Sequence, residues 1–371
     1  MGTTNAKEAV ADETTALNMK LGSTPTCEAV ARKLGADDAE TLSNSTVIVT
    51  GGSCGIGLQT AAALAKLGAV VVVASRDREK GLAGLEALRK AGHDTARMHF
   101  LALDLGSTAA VRAFVDAFRS AAEDHGWPPL DRLVLNAGIM RFGAGKCRRV
   151  ASCGTDIELT FHVNHLGHFL LTHLLMPELR LAAGNRDSST TGGRVVVVSS
   201  GSHYGPLATT AVEDRESVMT HVVRSSASTY GGLNAYGSSK LCNVLFAAGL
   251  AARESAAGTG VEACSLHPGA MVATQIATTS NIFVRGLMGV VGCFTKSLDQ
   301  AAATTLHCSL VPQGVLQGQY WDCCRPKAES GIATAAAANL LWEISEELLF
   351  RAEEGGGENG KEGEGEREAK A

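Results

Sequence analysis

Charge is scarce in this chain of 371 residues. Asp, Glu, Lys and Arg together make up 19%, against roughly 25% in an average soluble domain. There is no basic excess to attract nucleic acid: the net charge is −5, whereas a nucleic-acid binder needs a positive face. Long apolar runs are missing too. The longest candidate, Ile282–Phe294, contains Arg285 and falls short of the roughly 18 residues a membrane span needs. The N-terminus lacks an apolar signal core, because Lys7, Glu8, Asp12 and Glu13 interrupt it. Its first arginine is Arg32, so neither a secretory signal nor a transit peptide is expected. Ten cysteines are present without one Cys-x-x-Cys pair. A chain this long needs no staples. Reduced thiols, no metal site and an intracellular location are therefore expected, the cytoplasm first and an organelle as the alternative.

Glycine is abundant, at 42 residues or about 11%, against a usual ~7%. Six lie in the tail Glu353–Ala371, beside seven Glu and no aromatic residue. Such a composition does not offset its ordering entropy, so residues 353–371 are expected to be disordered. Residues 1–42 are a weakly patterned extension with one short helix near Glu28–Leu34. Between the two, β-branched runs (Thr46–Thr50, Val70–Val73, Leu133–Leu135, Val195–Val198, and more weakly Met98–Leu103 and Val261–Leu266) alternate with helical stretches at Ile56–Leu67, Glu79–Ala91, Thr108–Glu123, Ile157–Leu181 and Ala235–Glu254. Short apolar strands separated by helices predict a parallel sheet covered on both faces. One α/β domain over residues 43–325 is expected, then a C-terminal helix, Ala335–Phe350, within residues 326–352.

The first strand runs through TGGSCGIG (Thr50–Gly57) directly into a helix. Gly51, Gly55 and Gly57 suit a tight turn, the close approach of backbone to a pyrophosphate, and close helix–strand packing. The following helix N-terminus offers free N–H groups to phosphate. Just past the second strand stand Ser75 and Arg76, where an enzyme selective for NAD usually places an acid. A hydroxyl and a guanidinium suit a 2′-phosphate, so NADP(H) is expected ahead of NAD(H). Asp77 comes one or two places late for the acid's role.

Tyr236 and Lys240 are spaced i, i+4, on one face of a helix. A phenol titrates near ~10, and a neighbouring cation stabilises its phenolate, bringing it toward the pH at which a proton donor works best. Three companions accompany the pair. Ser199 and Ser200 end a buried strand at the edge where such sheets bind ligands. Asn136–Gly138 ends another, and Asn164 lies inside a long helical stretch. His162, His165 and His168 resemble a metal cluster, but their spacing drifts around a helix and no carboxylate joins them.

Together these motifs, with Asp104–Leu105 and Pro268–Gly269, resemble the classical short-chain dehydrogenase/reductase family over about residues 45–325. FHVNHLGHFLL (161–171), SKLCNVLF (239–246), LHPG (266–269) and LWEIS (341–345) are most similar to its retinol-dehydrogenase-like branch, which includes WW-domain oxidoreductases. The resemblance implies a single Rossmann-type, doubly wound sheet. It implies Tyr236 as general acid/base, Lys240 lowering its pKa and binding the nicotinamide ribose, Ser200 orienting the substrate oxygen and Asn164 holding a relay water. It places the cofactor against Gly51, Ser53, Gly55, Ile56 and Gly57, with Asp104 and Leu105 at the adenine. Asn136, Ala137 and Gly138 would lie along the ribose, and Pro268, Gly269 and Thr274 near the carboxamide.

Ser200 and Tyr236 are 36 residues apart, longer than the family's common spacing, which leaves an insert around Leu207–Thr229. The apolar Ile282–Phe294 corresponds to the family's substrate cover. It suggests a lipophilic alcohol or carbonyl substrate or peripheral membrane contact, with burial against the domain or a subunit neighbour as the equal alternative. The resemblance also suggests assembly through Phe161–Leu181 and Ala235–Glu254, as a homodimer or, as in other family members, a tetramer. The expected function is hydride transfer between NADP(H) and an alcohol or carbonyl group. The rival is an NADPH-sensing regulator or scaffold with little chemistry.

Overall fold

The computed structural model describes residues 25–141, 148–152, 155–184, 193–205, 214–224, 231–269, 297–328 and 333–351. Its strands are β1 (Thr46–Thr50), β2 (Val70–Ser75), β3 (Met98–Ala102), β4 (Leu130–Leu135), β5 (Arg149–Ser152), β6 (Thr155–Glu158), β7 (Arg194–Val198), β8 (Glu262–His267), β9 (Tyr320–Asp322) and β10 (Arg325–Lys327). Eight form one sheet in the order β10-β9-β8-β7-β4-β1-β2-β3, while β5 and β6 make a separate hairpin. All neighbours in the large sheet are parallel except β9 and β10. The order reverses between β1 and β4, and the loops leaving their carboxyl ends carry Gly51–Gly57 and Asn136–Gly138. Ligands of open α/β sheets bind at such a reversal.

The helices are α1 (Cys27–Lys33), α2 (Gly55–Lys66), α3 (Arg78–Lys90), α4 (Thr108–His125), α5 (Leu159–Phe161), α6 (Gly167–Gly184), α7 (Arg215–Ser217), α8 (Gly232–Ala256), α9 (Leu298–Leu310) and α10 (Ala335–Glu346). A π-helical turn, His162–Leu166, joins α5 to α6. The valine-rich strands are buried on both faces because helices cover both. Ile48, Leu133 and Val195 pack with Phe114, Phe169, Leu245 and Leu341 on one side. Val47, Val49, Val134 and Val196 pack with Val30, Leu64, Leu306 and Trp321 on the other.

Sequence patterning differs from the structure in a few places. Residues 157–158 end a strand rather than open the long helix, because Glu158 caps α5 by accepting the Phe161 N–H at 2.7 Å. The short β9–β10 hairpin and α9 were not anticipated, although α9 announces itself with a Ser297/Gln300 capping box. The C-terminal helix is fastened by aromatic rings: Trp342 packs edge-on to Phe169 at 4.8 Å and stacks with Phe246 at 5.9 Å. It thereby covers part of the α6–α8 face proposed from the sequence for dimerisation. Within the insert, Val218, Val222 and Val223 join the core. Residues 206–213 and 225–230 of that region, the segment Ile282–Phe294, Thr274 and the tail 353–371 lie outside the described residues.

At the amino edge of the sheet two buried arginines reach the C-terminal carbonyls of α9. Arg132 Nε donates to Ser309 O (2.7 Å) and its NH1 to Asp131 Oδ2 (2.5 Å). Arg194 NH1 donates to Cys308 O (3.1 Å) and its NH2 to Glu262 Oε2 (2.8 Å). Cations at a helix C-terminus complement its dipole, and each guanidinium also has a carboxylate partner, as burial demands.

Candidate active site

The glycine loop is built tightly. Gly51 has φ +66°, and a Cβ there would stand 2.8 Å from Ala137 Cα. One on Gly57 would stand 2.4 Å from both Asn136 Nδ2 and Gly51 O. Asn136 Nδ2 donates to Thr50 O at 2.9 Å, so the two loops at the sheet reversal are tied side to side. The helix that follows, α2, has no side-chain cap at its start, where Cys54 occupies the N-cap position, and no acid in its first turn. Its N–H groups are suited to an external anion. Ser53 packs its carbonyl against α3 at Gly84, and Ile56 is half-buried within the first turn of α2.

At the end of β2, the Ser75 hydroxyl is buried with no hydrogen-bond partner among the described residues. Arg76 is exposed beside it. Asp77 is turned to its own helix as the cap of α3, accepting the Lys80 N–H at 3.1 Å, and this bond is the largest cause holding its carboxyl below the usual range. Asp104 accepts the Gly106 N–H at 2.9 Å. Leu105 buries its side chain and gives its carbonyl to His162 Nδ1 at 2.9 Å. Pro268 and Gly269 follow β8 at the same sheet edge, Gly269 with φ +112°.

The residues expected from the sequence to be catalytic lie where β7 and α8 approach. The Ser200 hydroxyl lies near enough to the Tyr236 phenol to pull its pKa down slightly, and it accepts the Ser202 N–H at 3.3 Å. Ser199 is spent on structure: its hydroxyl donates to Lys240 O at 2.7 Å. Lys240 Nζ lies 5.6 Å from the Tyr236 ring centroid and donates to Val198 O at 2.9 Å. Burial lowers the Lys240 ammonium to about 8. Burial also raises the Tyr236 phenol, against a smaller lowering by Ser200, so the phenol stands protonated at neutral pH. A Cβ on Gly138 would meet Lys240 Nζ at 3.2 Å and Asn164 Oδ1 at 3.5 Å. The Asn136–Gly138 backbone thus runs close against both side chains.

Asn164 holds that backbone. Its Oδ1 accepts the Ile139 N–H (2.7 Å), and its Nδ2 donates to Ile139 O (3.0 Å) and Ser239 Oγ (2.9 Å). A water relay through Asn164 would therefore have to use its backbone carbonyl, because its amide is engaged. The three histidines go separate ways. His162 meets Leu105 O, His165 meets Ser345 Oγ at 2.8 Å and His168 meets Asn164 O at 3.0 Å. Burial lowers all three, His165 to about 3 and His168 to about 4. Sequence reasoning missed Thr50, Ile139, His168 and Ser239. It also missed His267, whose Nδ1 accepts the Gly201 N–H at 3.2 Å and steadies the turn after Ser200. Thr50 and His267 carried a signal, as the polar residues ending β1 and β8 at the binding edge.

Comparison with known proteins fits this geometry. The family model described as short chain dehydrogenase matches residues 45–212. The WW domain-containing oxidoreductase of Gallus gallus is 37% identical over 313 residues, 83% of this chain and 69% of that protein. The chain belongs to the short-chain dehydrogenase family. It is likewise 36% identical to retinol dehydrogenase 12 of Mus musculus over 82% of this chain and 85% of that one. Human retinol dehydrogenase 11 is 35% identical, over 83% and 86%. Among solved structures, an uncharacterized protein from Mycobacterium paratuberculosis aligns at 29% identity and TM-score 0.57, covering 85% of this chain and 96% of that one. A short chain dehydrogenase from Burkholderia cenocepacia in complex with NADP shares the fold at 23% identity and TM-score 0.52, covering 81% and 100%. The chain is thus a short-chain oxidoreductase, of a family that uses a nicotinamide cofactor. The uncapped α2 N-terminus, the two glycines that admit no Cβ and the orphaned Ser75 hydroxyl fit such a dinucleotide. No helix among the described residues is long and apolar enough to cross a membrane.

Proposed function

We propose that this chain reduces a carbonyl, or oxidises the corresponding alcohol, on a lipophilic small molecule with NADP(H). The observation that carries the reading is Lys240 Nζ standing 5.6 Å from the Tyr236 ring centroid, with Ser200 near enough to the phenol to influence its pKa. The chemistry a nicotinamide supplies when bound is hydride transfer. Ser200 holds the substrate oxygen against Tyr236. Tyr236, protonated at neutral pH, gives its phenolic proton to that oxygen in the reducing direction and takes it back in the other. Lys240 balances the phenolate so formed, and Asn164 and Gly138 hold the floor on which the nicotinamide ribose would rest. Gly51, Gly55 and Gly57 take the pyrophosphate.

Preference for NADP(H) over NAD(H) is supported by Arg76 and Ser75 at the ribose position and by Asp77 being committed to its helix cap. The names of the two retinol dehydrogenases support an apolar substrate. Seven free cysteines among the described residues support a reducing, intracellular setting. A homodimer through α6 and α8 would have to form beside α10, which already occupies part of that face.

Tyr236→Phe tests the reading. It should bind NADPH as the wild type does while turnover of medium-chain and retinoid aldehydes falls by about 10²-fold or more, the scale of general acid catalysis. Retained turnover refutes the assignment. Tight NADPH binding by the wild type with no turnover in a broad aldehyde, ketone and alcohol screen would instead favour the cofactor-sensing role.

A further inference from the structure

His168 stands outside the reacting set, on α6, fully buried and touching no surface. Its ring joins the end of β1 to the π-helical turn. Nδ1 lies 3.0 Å from Asn164 O, at the π-helical turn, and Nε2 lies 2.9 Å from Thr50 Oγ1, at the end of β1. A carbonyl only accepts, so Nδ1 carries the proton. Nε2 is then the acceptor, and the Thr50 hydroxyl, 2.9 Å from it but 3.4 Å from its other acceptor Val134 O, donates to it. That fixes the direction of the hydroxyl. With its hydrogen toward His168, its lone pairs face the N–H groups of Asn136 and Ala137, which donate to it at 2.9 and 3.0 Å. At the far end of the same segment, the Asn164 amide grips both the N–H and the C=O of Ile139.

We propose that His168 is a positioning residue that locks Asn136–Ile139, the backbone packed beside Lys240 and Asn164, by orienting Thr50 at one end and the Asn164 turn at the other. A neutral ring is required, and burial holds it neutral well below physiological pH, with the Lys240 ammonium pressing the same way. Asn164 O lies in the π-helical turn, where the Gly167 N–H donates to His162 O, and it also accepts the His168 Nδ1–H. The inference rests on the nicotinamide reading only for its consequence, since the network itself exists without cofactor.

Amide hydrogen exchange in the protein without cofactor reads the lock directly. His168→Leu should speed exchange at Asn136, Ala137 and Ile139 about tenfold and leave β1 and β7 protected as before. Thr50→Val should do the same at Asn136 and Ala137, and the double variant should add little there. His168→Gln, which can set an amide oxygen opposite the Thr50 hydroxyl, should restore protection at Asn136 and Ala137. His168→Asn, too short to reach Thr50, should not. If His168→Leu does not fold, the Gln/Asn pair and Thr50→Val carry the same comparison. In parallel, fluorescence titration should show His168→Leu binding NADPH and NADH about tenfold more weakly, by the same factor for both. Unchanged exchange in that segment, or effects of Thr50→Val and His168→Leu that multiply, overturns the role of His168. A wild type that binds neither dinucleotide, with the exchange pattern intact, overturns the cofactor reading and leaves the lock standing.

Discussion

Lys240 should destabilise the fold it serves. Its ammonium is buried to 3% exposure, and burial brings its pKa from 10.5 to about 8. An unfolded lysine keeps the ordinary value, so between pH 8 and 10.5 the unfolded chain binds more protons and stability rises with pH. At pH 7 both states are charged, and the penalty is nearly the whole shift of about 2.5 units, or about 3 kcal/mol. Near pH 9.5 most of it is gone and about 1 kcal/mol remains. Lys240→Met has similar length and no charge. The Val198 carbonyl that Lys240 serves is not orphaned by the change, since Asn243 Nδ2 also donates to it at 3.3 Å. The variant should therefore be about 2–3 kcal/mol more stable than the wild type at pH 7, after one hydrogen bond of about 1 kcal/mol is subtracted at most. The gap should narrow toward pH 9.5. Urea melts at pH 7, 8.5 and 9.5 measure it. The same variant should lose turnover, because nothing then balances the Tyr236 phenolate. A Lys240→Met protein less stable than wild type at pH 7, or a gap that does not close with pH, refutes the reasoning.

Ser199 and Ser200 should separate cleanly. Ser200→Ala should lower kcat by 10²-fold or more while the loss of its Ser202 contact costs no more than about 1 kcal/mol in a melt, whereas Ser199→Ala loses the bond to Lys240 O and should cost about 1 kcal/mol with kcat little changed. Gly57→Ala sets a Cβ 2.4 Å from Asn136 Nδ2 and Gly51 O. Calorimetric titration should find dinucleotide binding weakened at least a hundredfold, and the circular dichroism of the sheet should remain. Arg132→Met strips the cation from buried Asp131 and from the C-terminus of α9. Denaturant melts should show a loss of about 3–5 kcal/mol, and a loss below 1 kcal/mol would mean that the pair is not holding α9.

The parts of the fold legible in the sequence are those set by local chemistry. Runs such as Val70–Val73 have no hydrophilic face, which suits only a strand covered twice, and the glycines at 51, 55 and 57 admit few structures other than the turn they make. The antiparallel β9–β10 edge was not legible. Its three-residue strands are held by pairing with β8 rather than by their own pattern, and Pro326 and Lys327 read as loop. The start of the long helix at Leu159 was misplaced because Thr155–Glu158 owes its extended form to the partner Arg149–Ser152 and not to any periodicity of its own.

The site divides along the same line. Tyr236 and Lys240 could be paired from sequence because one helix fixes their separation, and Ser200 could be added because strands of one sheet end together. What spacing cannot supply is a bond whose two ends come from distant segments. His168 joins residues 50 and 164, and its neighbours His162 and His165 look alike in sequence yet bind Leu105 and Ser345. One added residue in the π-helical turn shifts these rings relative to an ideal helix of period 3.6. Asn164 in the same turn sets its amide on Ile139. A family motif read residue by residue singles out Asn164, and only the tertiary hydrogen bonds reveal that its side chain clamps backbone.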